Sequence, residues 1–94
     1  MKFFNWDQKK NDALKKSRNI SFEIIIFQIA NGKLLDINEN PNKKKYENQK
    51  IFVVEFENYV FLVPFIEVND EIFLKTIIPS RKATRKYLRG KQNE

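Results

Sequence analysis

The chain has 94 residues, a net charge of +6, nine Phe, three Tyr and one Trp, and neither cysteine nor histidine. That length holds one domain with one core, expected over residues 1–90, with 91–94 as a disordered tail. Without cysteine there is no disulfide framework or thiolate zinc site. Without histidine the commonest metal ligand and general base are missing, so no metal and no cofactor are expected. No apolar run approaches the ~20 residues of a membrane span or resembles a signal peptide, which predicts a cytoplasmic protein with no membrane partner.

Lys2 to Trp6 reads as a short strand. Asp7 is placed as an N-cap for a mostly polar helix over Gln8 to Arg18. Ser21 is a second cap candidate, and Asn31-Gly32 supplies a stop. The intervening Ile24-Ile25-Ile26-Phe27 suits a strand by propensity, but the flanking signals favour a buried helix over Phe22 to Ile29. Lys33 to Ile37 resembles a strand, and Asn38 to Gln49 a polar loop. Three strands are predicted next: Lys50–Glu57 with one buried face, Tyr59–Ile66 covered on both faces, and Glu71–Ile78. Pro64 conflicts with a central strand, because it cannot donate to a ladder. Pro79-Ser80 opens a terminal helix running to about Arg89, with Gly90 as its stop. The order of elements gives an α+β class, with N-terminal helices, an antiparallel sheet of three to four strands and a basic C-terminal helix.

Charge is segregated along the chain. Residues 1–50 carry eleven Lys/Arg against six acids, 51–74 carry five acids and no base, and 75–91 carry seven bases and no acid. A basic block beside an acidic one suits a polyanion site, and a solubilising tail explains the block equally well. Arg81, Arg85 and Arg89 recur at four-residue intervals, with Lys82 and Lys86 between them and no acid within helical reach. Arg81 and Lys82 also occupy the first turn, where the helix dipole disfavours positive charge. That misplacement favours phosphate binding over a merely solvated face. Lys75 interrupts an apolar strand and shares, by alternation, a face with Phe73 and Ile77. It is either an amine in a cleft, able to move a proton, or a gatekeeper at a sheet edge. Lys43, Lys44 and Lys45 beside Tyr46, with Lys50 following, join charge to an aromatic that can stack on a base.

The ending Phe73-Leu74-Lys75-Thr76-Ile77-Ile78-Pro79-Ser80-Arg81-Lys82-Ala83-Thr84-Arg85-Lys86-Tyr87 resembles the closing signature of BrnT-type toxins, a strand running into a basic helix. Phe4-Asn5-Trp6-Asp7 with Lys10-Asn11 is similar to that family's opening. Ile20-Ser21-Phe22-Glu23 is similar to the start of its second helix, and Tyr46 to Lys50 to its Y-G-E-x-R element. The chain departs from the pattern where Lys16-Ser17-Arg18-Asn19 stands in place of Lys-His-Gly, and where Glu47, Asn48 and Lys50 replace the Gly, Glu and Arg of Y-G-E-x-R.

The resemblance implies a RelE-like fold and a metal-independent endoribonuclease that cleaves messenger RNA and arrests growth. It also implies a ribbon-helix-helix antitoxin that covers the active face in a toxin–antitoxin hetero-oligomer. Metal-free cleavage needs a base for the 2′-OH, cations for the phosphate and an acid for the leaving oxygen. With the motif match, the basic cluster puts Arg81 and Arg85 on the phosphate and Lys50 or Lys75 at proton transfer. Lys43, Lys44, Lys45, Tyr46, Lys82, Lys86 and Arg89 would then bind RNA. Two rivals share these residues: a basic module that grips nucleic acid without cutting it, and a structural subunit whose acidic central sheet docks a basic partner.

Overall fold

The computed structural model describes residues 2–42, 44–45 and 48–89, the last by its backbone alone. The expected tail at 91–94, the stop at Gly90, and Lys43 and Tyr46 lie outside the described residues.

Strand β1 (Phe3–Trp6) leads into α1 (Gln8–Arg18), where the Asp7 carboxylate accepts from the Lys9 backbone N–H at 2.9 Å. Asn19, in the left-handed region at φ 55°, ends that helix. Ser21 caps α2 (Phe22–Ala30) by accepting from Ile24 N at 3.2 Å, and Gly32 at φ 82° turns the chain out of it. The ambiguous isoleucine run is therefore helical, as its flanking cap and stop imply. The sheet then forms from β2 (Leu34–Glu39), β3 (Gln49–Phe56), β4 (Tyr59–Val68), β5 (Glu71–Leu74) and β6 (Ile78–Pro79). Glu57 and Asn58, both at positive φ, make the two-residue turn between β3 and β4. Helix α3 (Arg81–Thr84) continues directly into a π-helical stretch, Arg85–Arg89.

The class is α+β, with three helical segments and a mostly antiparallel sheet among the described residues. The sheet is wider than expected, with six strands among the described residues in the order β1-β5-β4-β3-β2 and β6 also on β4. The extra breadth comes from β1, which pairs parallel with the distant β5. The expected single strand Glu71–Ile78 is broken in two. Phe65 pairs with Leu74 and Leu62 with Ile78, so between these pairs two residues on β4, Val63 and Pro64, face three on the other side, Lys75, Thr76 and Ile77, which is a bulge. Pro64 sits within that gap, where its missing N–H leaves no ladder bond unmade, while its carbonyl accepts from Lys75 N at 2.8 Å. A proline in a central strand is thus accommodated by breaking the neighbour.

Strand alternation divides the core between two faces. Phe52 and Val54 of β3, Val63 and Phe65 of β4, and Ile72 and Leu74 of β5 are buried against Leu14, Ile20, Phe22 and Ile25 of the α1–α2 layer. Phe52 and Phe65 stack with ring centroids 3.8 Å apart. Each such side chain contributes about 1.5–3 kcal/mol by leaving water. The two helices are stapled together by Asn11, which is fully buried. Its Oδ1 accepts from Phe22 N at 2.8 Å and its Nδ2 donates to Glu23 Oε1 at 2.7 Å. On the opposite face a smaller cluster of Val53, Val60 and Ala83 packs with Leu35, Leu62, Tyr87 and Leu88. The terminal helical segment therefore covers only part of that face.

Candidate nucleic-acid interface

The terminal segment is held by its small and aromatic residues. Ser80 Oγ accepts from Ala83 N at 3.0 Å, capping the first turn. Thr84 Oγ1 donates to the Ser80 carbonyl at 2.7 Å and accepts from Val60 N at 2.9 Å, satisfying a donor on β4. Ser80 N in turn donates to the Val60 carbonyl at 3.0 Å. Further along, the Tyr87 hydroxyl donates to Asp36 Oδ2 at 2.8 Å, latching the segment to the edge strand β2. That bond, then the bond from Ile37 N and the charge of Lys86, holds the Asp36 carboxyl below the usual carboxylate range.

With Ala83, Thr84, Tyr87 and Leu88 turned to the sheet, Arg81, Lys82, Arg85 and Lys86 are left exposed. Among the described residues none of these four forms an ion pair. The Lys86 ammonium lies over the Tyr87 ring, 5.3 Å from its centroid. Expected stacking of Arg81, Arg85 and Arg89 at four-residue intervals ends at Arg85, where the winding changes to the wider π form. The Arg89 side chain lies outside the described residues.

Lys75 lies on the same side of the sheet as the terminal segment. It is exposed, with its ammonium 5.5 Å from the Phe73 ring centroid, so it snorkels out along an aromatic and occupies no cleft. Phe73 shares its face as expected, but Ile77 does not. The bulge beside Pro64 turns Ile77 into the α1–α2 core, where it is fully buried. Lys50 is separated from this group. It pairs with Phe65 and Glu39 and has the same parity as Phe52 and Val54, which places it on the face covered by α1 and α2. The structure thus brings Arg81, Lys82, Arg85, Lys86 and Lys75 to one side and leaves Lys50 on the other. Lys44 and Lys45 are exposed in the β2–β3 connection, with Lys45 N donating to Asn42 Oδ1 at 3.2 Å.

One contact behind the basic segment gave no local signal. Arg18, at the end of α1, donates from Nη1 to the Ile77 carbonyl at 2.6 Å, bridging 59 positions. It ties the first helix to the bend from which β6 and α3 emerge. The opening residues Asp7, Asn11, Ser21, Phe22 and Glu23 likewise cap, staple or fill the core. Asn11 is also the main reason that the Glu23 carboxyl is held below its ordinary range.

Compared with models of known families, with curated proteins and with solved structures, the chain matches none. Among the described residues no helix is long and apolar enough to cross a membrane.

Proposed function

We propose that the chain is a growth-arresting endoribonuclease toxin, acting in the cytoplasm and neutralised by a ribbon-helix-helix antitoxin that covers its cationic face. The observation that carries the reading is the division of labour within residues 80–87. Ser80, Ala83, Thr84 and Tyr87 lock the segment to the sheet, while Arg81, Lys82 and Arg85 project outward without carboxylate partners among the described residues, and Lys86 is exposed beside them. A stability-driven helix start would carry acids at such positions. Rigidly mounted, unneutralised arginines suit a phosphodiester, whose charge they hold bidentately as it grows in the transition state. Lys75 is the proton-transfer candidate that shares their side of the sheet. Induced expression of wild type and of Arg81→Ala/Arg85→Ala in a bacterium, with growth and transcript ends followed, tests this. Growth arrest and new transcript ends, both lost in the variant at equal protein level, are expected. Normal growth with intact transcripts and folded wild-type protein would refute it.

A second reading, a module that binds nucleic acid without cutting it, is favoured by one observation. Lys50 lies on the far face of the sheet, so only one of the two lysines proposed for acid and base work accompanies the arginines. Antitoxin docking on the cationic face predicts that Arg81 or Arg85, and not Glu55 or Glu57, is needed for the complex, as a pull-down with charge-reversal variants would report.

A further inference from the structure

The face that carries the terminal segment is only half covered. Beyond Val53, Val60 and Leu62 it continues through Ile51, Pro64 and Ile66 to Phe73, Val68 and Phe3; Pro64 is buried, Ile51, Ile66 and Phe73 are half-buried, and Phe3 and Val68 are exposed. Phe3 is 63% exposed and Val68 59%. Phe3 pairs with Glu71 and Asn5 with Phe73, so the two phenylalanines stand on neighbouring strands, on one face, two residues apart in register. Strand spacing and rise put their Cα atoms roughly 8 Å apart. The proposal that follows rests on reading the terminal segment as a phosphate-binding surface.

We propose that the outer part of this face is a stacking platform for the bases of single-stranded nucleic acid, with the exposed Phe3 and the half-buried Phe73 as its aromatic positions and Lys75 at its cationic border. Aromatic side chains beside a cationic track are the sequence-tolerant means of holding single strands, because every base presents a π-face. The Lys75 ammonium already lies against the Phe73 ring, and the exposed cations of Arg81, Lys82, Arg85 and Lys86 belong to the same side of the sheet. An acid stands at the other end of the strip, in the β4–β5 hairpin, where Glu71, opposite Phe3 in register, accepts from Asn5 Nδ2 at 3.1 Å. This polarity orients the ligand, with phosphates toward Lys75 and the terminal segment and bases over Phe73 and Phe3.

Other occupants fit less well. A second copy would set two chains of net charge +6 face to face. A single strand brings both π-faces and the opposite charge.

The test is fluorescence anisotropy of the full chain with a short labelled 2′-O-methyl oligoadenylate, which has no 2′-OH to be cleaved, and with a duplex of equal length. Phe3→Ala is expected to weaken the single strand by about 5-fold or more while leaving its salt dependence and the duplex unchanged. Phe3→Trp restores binding. Phe73→Leu, which keeps the apolar cover without the ring, weakens it in the same way. An unchanged urea midpoint in each variant certifies the fold. If Phe3→Ala binds as wild type while Arg81→Ala/Arg85→Ala does not, the platform is wrong and the strip is a face for a protein, but the phosphate-binding reading stands. Equal loss on single strand and duplex also overturns the platform. If wild type binds neither probe, both readings fall.

Discussion

On one face of the sheet, α1 and α2 bury Phe22, Ile25, Leu14 and Ile20 against six inward side chains of β3, β4 and β5, with the buried Asn11 fully satisfied between the helices. On the other, the terminal segment contributes Ala83, Tyr87 and Leu88 to a small cluster and keeps four cations in water. One short chain thus divides its work between its two faces. Large side chains and a closed polar network make the first face a foundation. Small caps and single hydrogen bonds fasten the second, which frees its long charged side chains for a ligand.

Damage should be greatest where the foundation itself is cut. Phe22→Ala removes a fully buried ring and is expected to cost about 3–5 kcal/mol, much of the stability of a small domain. Urea unfolding would report it, and a loss under about 1 kcal/mol would mean that the helix layer is not the main core. Thr84→Val probes the join between the faces. It leaves Val60 N without an acceptor, at a cost of about 1–3 kcal/mol, and should lower RNA affinity as the segment loosens. Amide exchange at Val60 would show it directly.

Acidification should act on both faces more gently. Glu23 and Asp36 have depressed folded-state pKa values, so their stabilisation is present above the unfolded pKa and lost as pH falls through the folded one. The urea midpoint should therefore drop on the acid side of the ordinary carboxylate range. Tyr87→Phe removes the main cause of the Asp36 shift, so it should flatten that dependence slightly by lowering the urea midpoint near neutrality while leaving it almost unchanged in acid. A steeper acid loss in Tyr87→Phe than in wild type would contradict the latch.

Much of the fold was legible because its signals are local. Asp7, Ser21 and Ser80 each cap the helix that follows, and Asn31-Gly32 ends α2 as the turn chemistry implies. The parity of β3 already joined Lys50 to Phe52 and Val54. What the pattern lacked was the knowledge that α1 and α2 cover that face and the basic segment the other. That assignment is topological and belongs to no window of residues. Pro64 announced a conflict, but its resolution, a bulge that splits the neighbouring strand and turns Ile77 inward, depends on pairing between distant segments. The β1–β5 pairing and the Arg18–Ile77 bond are illegible for the same reason. In the closing motif, the cations stood out by their charge. The roles of Ala83 and Thr84 emerge only once Val53 and Val60 are beneath them.

The proposed function requires that Arg81 and Arg85 serve a nucleic-acid ligand and contribute nothing to the foundation. The most direct test titrates a short single-stranded RNA, made uncleavable by 2′-O-methylation, into wild type and Arg81→Ala/Arg85→Ala at several salt concentrations, with urea unfolding of both proteins alongside. Unfolding free energies within about 0.5 kcal/mol of each other are expected, as for exposed substitutions. Binding should be clearly weaker in the variant, with a salt slope shallower by roughly 0.7 for each phosphate that it no longer neutralises. Equal affinity and equal slope in two folded proteins would contradict the proposal.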